Sequence, residues 1–135
     1  MSLEQIAQLV GRDPFARSLD IEILEVGEGY SKVAMTVDER MLNSHDTAHG
    51  GVIFSLADAA FAVASNSHGQ LAVALNVSIN YVAPVGPGTR LIAEATEESL
   101  GRRIGLYRLA VTAEDGTLVA LCQATAYRKH QPVVQ

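Results

Sequence analysis

The sequence predicts an α+β fold, one curved antiparallel sheet wrapped around one long helix. Two observations carry that expectation. Residues 51–67 are long enough for about four helical turns, and nearly every one of them is apolar or small. On either side, shorter segments alternate apolar and polar residues with the period of two that marks a half-buried strand. A helix that is apolar almost all round must be buried almost all round, so the sheet has to curl about it.

The elements follow in order. Leu3, Ile6, Leu9 and Val10 give a short amphipathic helix over about 3–10, stopped near Gly11 and Pro14. SLDIEILEV, from Ser18, alternates with Leu19, Ile21 and Ile23 on one face, and a turn at Gly27 to Gly29 leads into KVAMTVDE, with Val33, Met35 and Val37 inward. The two segments read as a hairpin. RMLNSHDTAHGG is a loop rich in turn formers, and the long helix follows it and ends at His68-Gly69. From there the pattern is all strand. LAVALNVSINYVAP is stopped by Pro84, and TRLIAEATEES turns at Leu100-Gly101. RRIGLYRLAVTAE turns at Glu114-Asp115-Gly116, and TLVALCQATAYRKH comes last.

The chain of 135 residues suits one domain, 1–135, with a core of its own. A formal net charge of -5 argues against general nucleic-acid or membrane-surface binding. Cys122 is the one cysteine, so no internal disulfide and no thiolate metal cluster is expected. The start lacks a basic signal-peptide region, and the uncharged span between Asp58 and Arg90 is broken by Ser65, Asn66, His68, Gln70, Asn76 and Asn80. A soluble, cytoplasmic protein is expected. An apolar content of 48% is high for a small monomer and suggests a subunit interface.

Asp58 stands in the middle of the apolar helix with no Lys or Arg near it in sequence. A desolvated, unpaired carboxylate is costly, and in a cleft it is placed to act as base or nucleophile. The same residue could serve structurally, hydrogen-bonded to loop amides or a partner chain. Ser55, Asp58, Ala62 and Ser65 share one stripe of the helix, a small-polar seam that could border a cleft. His49-Gly50-Gly51 lies at the helix start, where free N–H groups and the macrodipole favour a ligand oxygen, although two glycines also suit a tight turn. Gly50 and Asp58 are eight residues apart, about 12 Å along a helix. One chain cannot easily bring both to one carbonyl, whereas two chains related by a two-fold can.

Asn43, His49-Gly50-Gly51 and SLADAAFAVASN, with VALNVSINYVAP and LGRRIGLYRLAV, together resemble the hotdog-fold acyl-CoA thioesterases, and in particular their phenylacetic acid degradation (PaaI-like) branch. The likeness runs from about Leu19 to Arg128. It implies a hotdog fold and hydrolysis of aryl-acyl thioesters such as phenylacetyl-CoA or hydroxyphenylacetyl-CoA, with coenzyme A as part of the substrate and no separate cofactor. By the same likeness Asp58 is the base or nucleophile, and the Gly50 N–H polarises the carbonyl across a dimer interface. Asn43 helps hold the carbonyl or the water, His49 orients the loop, and Gly51 belongs to the substrate-binding turn. Arg102 and Arg103 are candidates for the coenzyme A phosphates. Ala74, a candidate substrate-binding residue, stands where some relatives carry Ser or Thr, so a mechanism needing a hydroxyl at that position is not expected here. A homodimer, and beyond it a homotetramer, is the assembly implied.

Other chemistry finds no support in the residues. No serine lies in a GxSxG context, the histidines show no metal-binding spacing, and no glycine-rich nucleotide loop is present. Two alternatives stay open, a hotdog hydratase or dehydratase pairing a His with a carboxylate, and a non-catalytic acyl-CoA-binding module.

Overall fold

The computed structural model describes residues 1–133; the last two residues of the single domain expected over 1–135 lie outside the described residues. The order is α1 (Leu3–Gly11), α2 (Pro14–Ser18), β1 (Glu22–Gly27), β2 (Tyr30–Thr36), α3 (Gly50–Asn66), β3 (Gln70–Tyr81), β4 (Arg90–Leu100), β5 (Ile104–Ala113) and β6 (Leu118–Pro132), with a 3-10 turn at Glu39–Met41. The fold is the expected α+β hotdog, a six-stranded antiparallel sheet in the order β1-β2-β4-β5-β6-β3 around the long α3. No helix among the described residues is long and apolar enough to cross a membrane.

The pattern of side chains shows why the sheet can close on the helix. Ile53, Leu56, Ala57, Ala60, Phe61 and Ala64 of α3 are buried against Val33, Met35, Leu91, Leu109 and Val111 of the strands. Small residues line much of the inner face (Ala93, Ala95, Ala120, Ala124 and Ala126), which lets the backbone approach the helix closely. The Phe61 and Tyr107 rings meet edge to face, 5.5 Å between centroids. α1 is held close to α3 because Gly11 has no side chain; a Cβ there would lie 2.7 Å from Ile23 and 2.8 Å from Val63.

Three expectations change. β1 starts at Glu22 rather than Ser18, because Asp13 and Pro14 begin an additional short helix that takes up Pro14–Ser18. The Asp13 carboxylate accepts from the Ala16 N–H at 2.7 Å and Pro14 sits in the first turn, where its missing N–H costs nothing. The long helix is shifted by one residue at each end from 51–67. The polar seam is also shorter than read, since Ser55, Asp58 and Ala62 are half-buried while Ser65 is fully buried.

β3 lies at one edge of the sheet, paired on one side only, to β6. Leu75, the extra residue where its register with β6 shifts, is 60% exposed, and Val73 is 40% exposed. An apolar edge strand of this length is one that a protein normally covers.

Candidate active site

The loop before α3 is built to present the helix start. The Asn43 side-chain oxygen accepts from the His45 N–H (2.9 Å) and the Thr47 N–H (3.2 Å), and its amide nitrogen donates to Thr47 Oγ1 at 2.9 Å. The Asn43 N–H donates to the Thr47 carbonyl at 2.8 Å, and Asp46 takes a positive φ of 60° to close the turn. Asn and Asp tolerate these turns because their side chains bond their own backbone. In this chain Asn43 therefore braces the loop. The loop is fixed to its surroundings by His49 N–H to the Met41 carbonyl and Ala48 N–H to the Val85 carbonyl, both 2.8 Å.

Four N–H groups at a helix start have no helical acceptor, and here three, those of His49, Gly51 and Val52, are satisfied. The Gly51 N–H donates to His49 Nδ1 at 2.9 Å, and the Val52 and Ile53 N–H groups donate to the His49 carbonyl. His49 is thus the N-cap, with its ring proton on Nε2. The Gly50 N–H alone has no acceptor among the described residues. It belongs to a residue lining a cavity of about 320 Å³, together with Asn43, Thr47, Ala48, Ile53, Tyr81, Val82, Ala83 and Pro84. Tyr81 was not foreseen; its hydroxyl donates to the Gly50 carbonyl at 2.9 Å. A larger cavity, about 480 Å³, lies over β3, β6 and β5 with Ser78, Asn80, Glu98, Arg108 and Gln123 on its walls. It contains none of the expected site residues.

His49→Ala removes the acceptor of the Gly51 N–H and is expected to cost about 1 kcal/mol of stability, read as a lower urea midpoint. His49→Asp, which restores a capping oxygen, is expected to recover most of it.

Asp58 lies two turns further along α3, half-buried, with no hydrogen bond or ion pair to any described residue. Burial pushes its carboxyl above the usual carboxylate range, and the charge of Asp13 on the neighbouring α2 pushes the same way. An unpaired carboxylate of raised basicity is the kind of group that accepts a proton from water near neutral pH.

The remaining candidates are not gathered here within one chain. Ala74 pairs with Ala126 in the first half of β3, about 23 Å along the strand from Tyr81. Arg102 and Arg103 lie in the β4–β5 turn, where Arg103 donates to the Tyr127 hydroxyl at 3.0 Å. Tyr127 pairs with Val73, at that same far end of β3. Gly51 is exposed beside Gly50. Among the described residues no group of three or more His, Cys, Asp or Glu could hold a metal ion.

Comparison with known proteins gives concordant likenesses. The family model described as the thioesterase superfamily matches residues 45–120. A putative esterase of Archaeoglobus fulgidus is 47% identical over 119 residues, 88% of this chain and 77% of its own length. The acyl-coenzyme A thioesterase PaaI of Escherichia coli is 40% identical over 116 residues, 86% of this chain and 83% of its own. The solved E. coli PaaI protein from the phenylacetic acid degradation operon matches with a TM-score of 0.90 at 36% identity, covering 97% of this chain and 99% of that one. A Streptococcus mutans protein solved bound to acetyl CoA matches with a TM-score of 0.80 at 28% identity, covering 83% and 90%.

Proposed function

The chain belongs to the thioesterase superfamily, and from that membership we propose that it hydrolyses arylacetyl thioesters of coenzyme A, phenylacetyl-CoA or a hydroxylated relative, at a site shared by two subunits. It is a thioester hydrolase of the PaaI-like branch, so the hydratase and binding-module readings are set aside. The substrate, the residue roles and the assembly are the proposed part. The observation that carries them is the pairing of one unused backbone donor, Gly50 N–H, with one unpartnered carboxylate, Asp58, on the same helix.

In this reading the thioester carbonyl oxygen takes the Gly50 N–H, which sits at the positive end of the helix dipole. Asp58 of the partner subunit removes a proton from water as its oxygen attacks the carbonyl carbon. The oxyanion collapses, the C–S bond breaks, and the departing thiolate takes the proton from Asp58. A thiolate leaves readily, so this pair of groups needs no Ser–His–Asp triad. Direct attack by the carboxylate, followed by hydrolysis of the anhydride, uses the same two groups.

The exposed edge of β3 supports the two-subunit site. Pairing of β3 with a second copy of itself would run antiparallel and cover Val73 and Leu75. It would set the two long helices side by side in opposite directions, with Gly50 of one facing the middle of the other. It would also carry the Arg102–Arg103 turn to the Gly50 end of its partner, where the coenzyme A phosphates would lie. The homotetramer is the larger assembly in this reading, and sedimentation reads it directly.

The test is thiol release from phenylacetyl-, hydroxyphenylacetyl-, benzoyl- and straight-chain acyl-CoA, with crotonyl-CoA hydration as a control. Subunit sharing is tested by mixing two inactive variants, Asp58→Asn and Gly50→Pro. Proline suits the first helical position and removes the N–H, and Gly50→Ala controls for the carbon it adds beside the Tyr81 ring. In a mixed dimer one of the two sites keeps both groups, so random mixing is expected to recover about a quarter of wild-type activity. No recovery, with mixed dimers present, places both groups in one chain.

A further inference from the structure

We infer that Tyr81 is a positioning residue of this reaction, holding the peptide plane beside the Gly50 donor, and that its ring forms one wall of the acyl site. The inference rests on the reading that the Gly50 N–H receives the thioester oxygen. Glycine is the least restrained residue in the chain, so a donor on Gly50 is well aimed only if both peptide planes around it are fixed. The plane before it is held by the His49 carbonyl, which accepts from the Val52 and Ile53 N–H groups. The plane after it is clamped at both ends: its N–H, on Gly51, reaches His49 Nδ1 at 2.9 Å, and its carbonyl accepts from the Tyr81 hydroxyl at 2.9 Å. Tyr81 comes from the end of β3, so the clamp ties the helix start to the sheet.

The ring lies directly on Gly50. A Cβ at that position would sit 3.1 Å from Tyr81 Cζ and 3.2 Å from its hydroxyl oxygen, closer than a side chain comfortably packs. A side chain at 50 would therefore have to push the ring outward by a few tenths of an ångström, which a half-exposed ring can accommodate. Tyr81 is 53% exposed and shares its cavity with Ile53, Val82 and Ala83. An aromatic face left open beside apolar side chains, next to the carbonyl donor, suits a planar aromatic acyl group.

Two variants separate the parts. Tyr81→Phe keeps the ring and loses the hydrogen bond; kcat for phenylacetyl-CoA is expected to fall about threefold to tenfold with KM nearly unchanged. Tyr81→Leu also loses the ring, and KM for phenylacetyl-CoA is expected to rise about fivefold while KM for butanoyl-CoA stays put. Thermal unfolding checks that both fold, and Tyr81→Met replaces the Leu variant if that one does not. Wild-type kcat in Tyr81→Phe overturns the positioning role, and an unchanged ratio of aryl to straight-chain KM in the ring-less variant overturns the wall. Both results are distinct from failure of the underlying reading, in which wild-type protein releases no thiol or Gly50→Pro is as active as Gly50→Ala.

Discussion

Asp58→Asn is expected to lower kcat about a thousandfold and to raise the melting temperature. The two effects share one cause. The substitution keeps the shape of the side chain and removes a charge that has neither a hydrogen bond nor an ion pair among the described residues. In the folded protein burial and Asp13 hold the Asp58 carboxyl above the usual range, so the native state binds the proton more tightly than the unfolded chain. Stability then falls as pH rises, across the window between the ordinary carboxylate value and the raised one. The benefit of Asn is accordingly small in acid, where Asp58 is neutral in both states, and full once pH is above the raised value. Activity runs the other way. Only the ionised carboxylate can take a proton, so kcat is expected to fall on acidification at a higher pH than an ordinary carboxylate would dictate. Calorimetry across pH, with thiol release on the same samples, checks both signs. A variant that loses stability would show that Asp58 holds a structural hydrogen bond instead, and one that keeps its activity would remove it from the chemistry.

Most of the fold was legible because burial writes a period into the sequence. α3 could be read from apolar density alone, and β2, β4 and β5 from alternation, since each has one face on the helix. α2 was missed although its signal is local. Asp13 and Pro14 are an N-cap and a first-turn proline, but Pro14 read by itself marks only a stop for the helix before it. Strand order leaves no such trace. That β3 sits at the edge beside β6 follows from packing of the whole sheet, and nothing within residues 70–81 states it.

The site was legible in the same uneven way. Asp58 stands out because a charge in an apolar helix breaks a rule, and such breaks mark functional sites. Gly50 was visible as a glycine at a helix start. That its N–H alone among the helix-start amides lacks an acceptor among the described residues depends on which of the His49 atoms the neighbouring amides use, and no residue pattern states that. Tyr81 gave no signal, since its partner lies 31 residues away in sequence. Ser65 shows the opposite error. It shares the stripe of Asp58 by spacing, but the stripe was read as open along its whole length, and the end of the helix is closed over.

Glu97→Ala is expected to be among the most destabilising single changes outside the site, about 2–4 kcal/mol and roughly 10 °C in melting temperature. Glu97 points to the inner face of β4, where alternation would place an apolar residue. One of its oxygens accepts from the Tyr107 hydroxyl at 2.6 Å and meets His68 Nε2 at 2.8 Å. Its backbone N–H donates to the Gly29 carbonyl at 2.8 Å, and the Gly29 N–H in turn donates to Ser67 Oγ at 2.7 Å. The carboxylate thus joins the residue just beyond α3 to β5, and the Glu97 backbone ties in the β1–β2 turn. Gly29 has no room for a side chain, because a Cβ there would lie 2.8 Å from Glu97, and its φ of +70° disfavours one in any case. Tyr107 is 1% exposed, and burial with the charge of Glu97 pushes its phenol well above the usual range, so it stays a donor at any working pH. Without Glu97 that buried hydroxyl has no acceptor, the costly case in hydrogen-bond energetics. The pair with His68, partly open to solvent, adds less. Glu97→Gln keeps an oxygen for the phenol and should lose less than about half as much. Tyr107→Phe introduced into Glu97→Ala removes the orphaned hydroxyl and should therefore restore stability, although the same change in the wild type lowers it. That reversal of sign distinguishes an unsatisfied hydroxyl from a simple loss of packing, which would make the two changes additive.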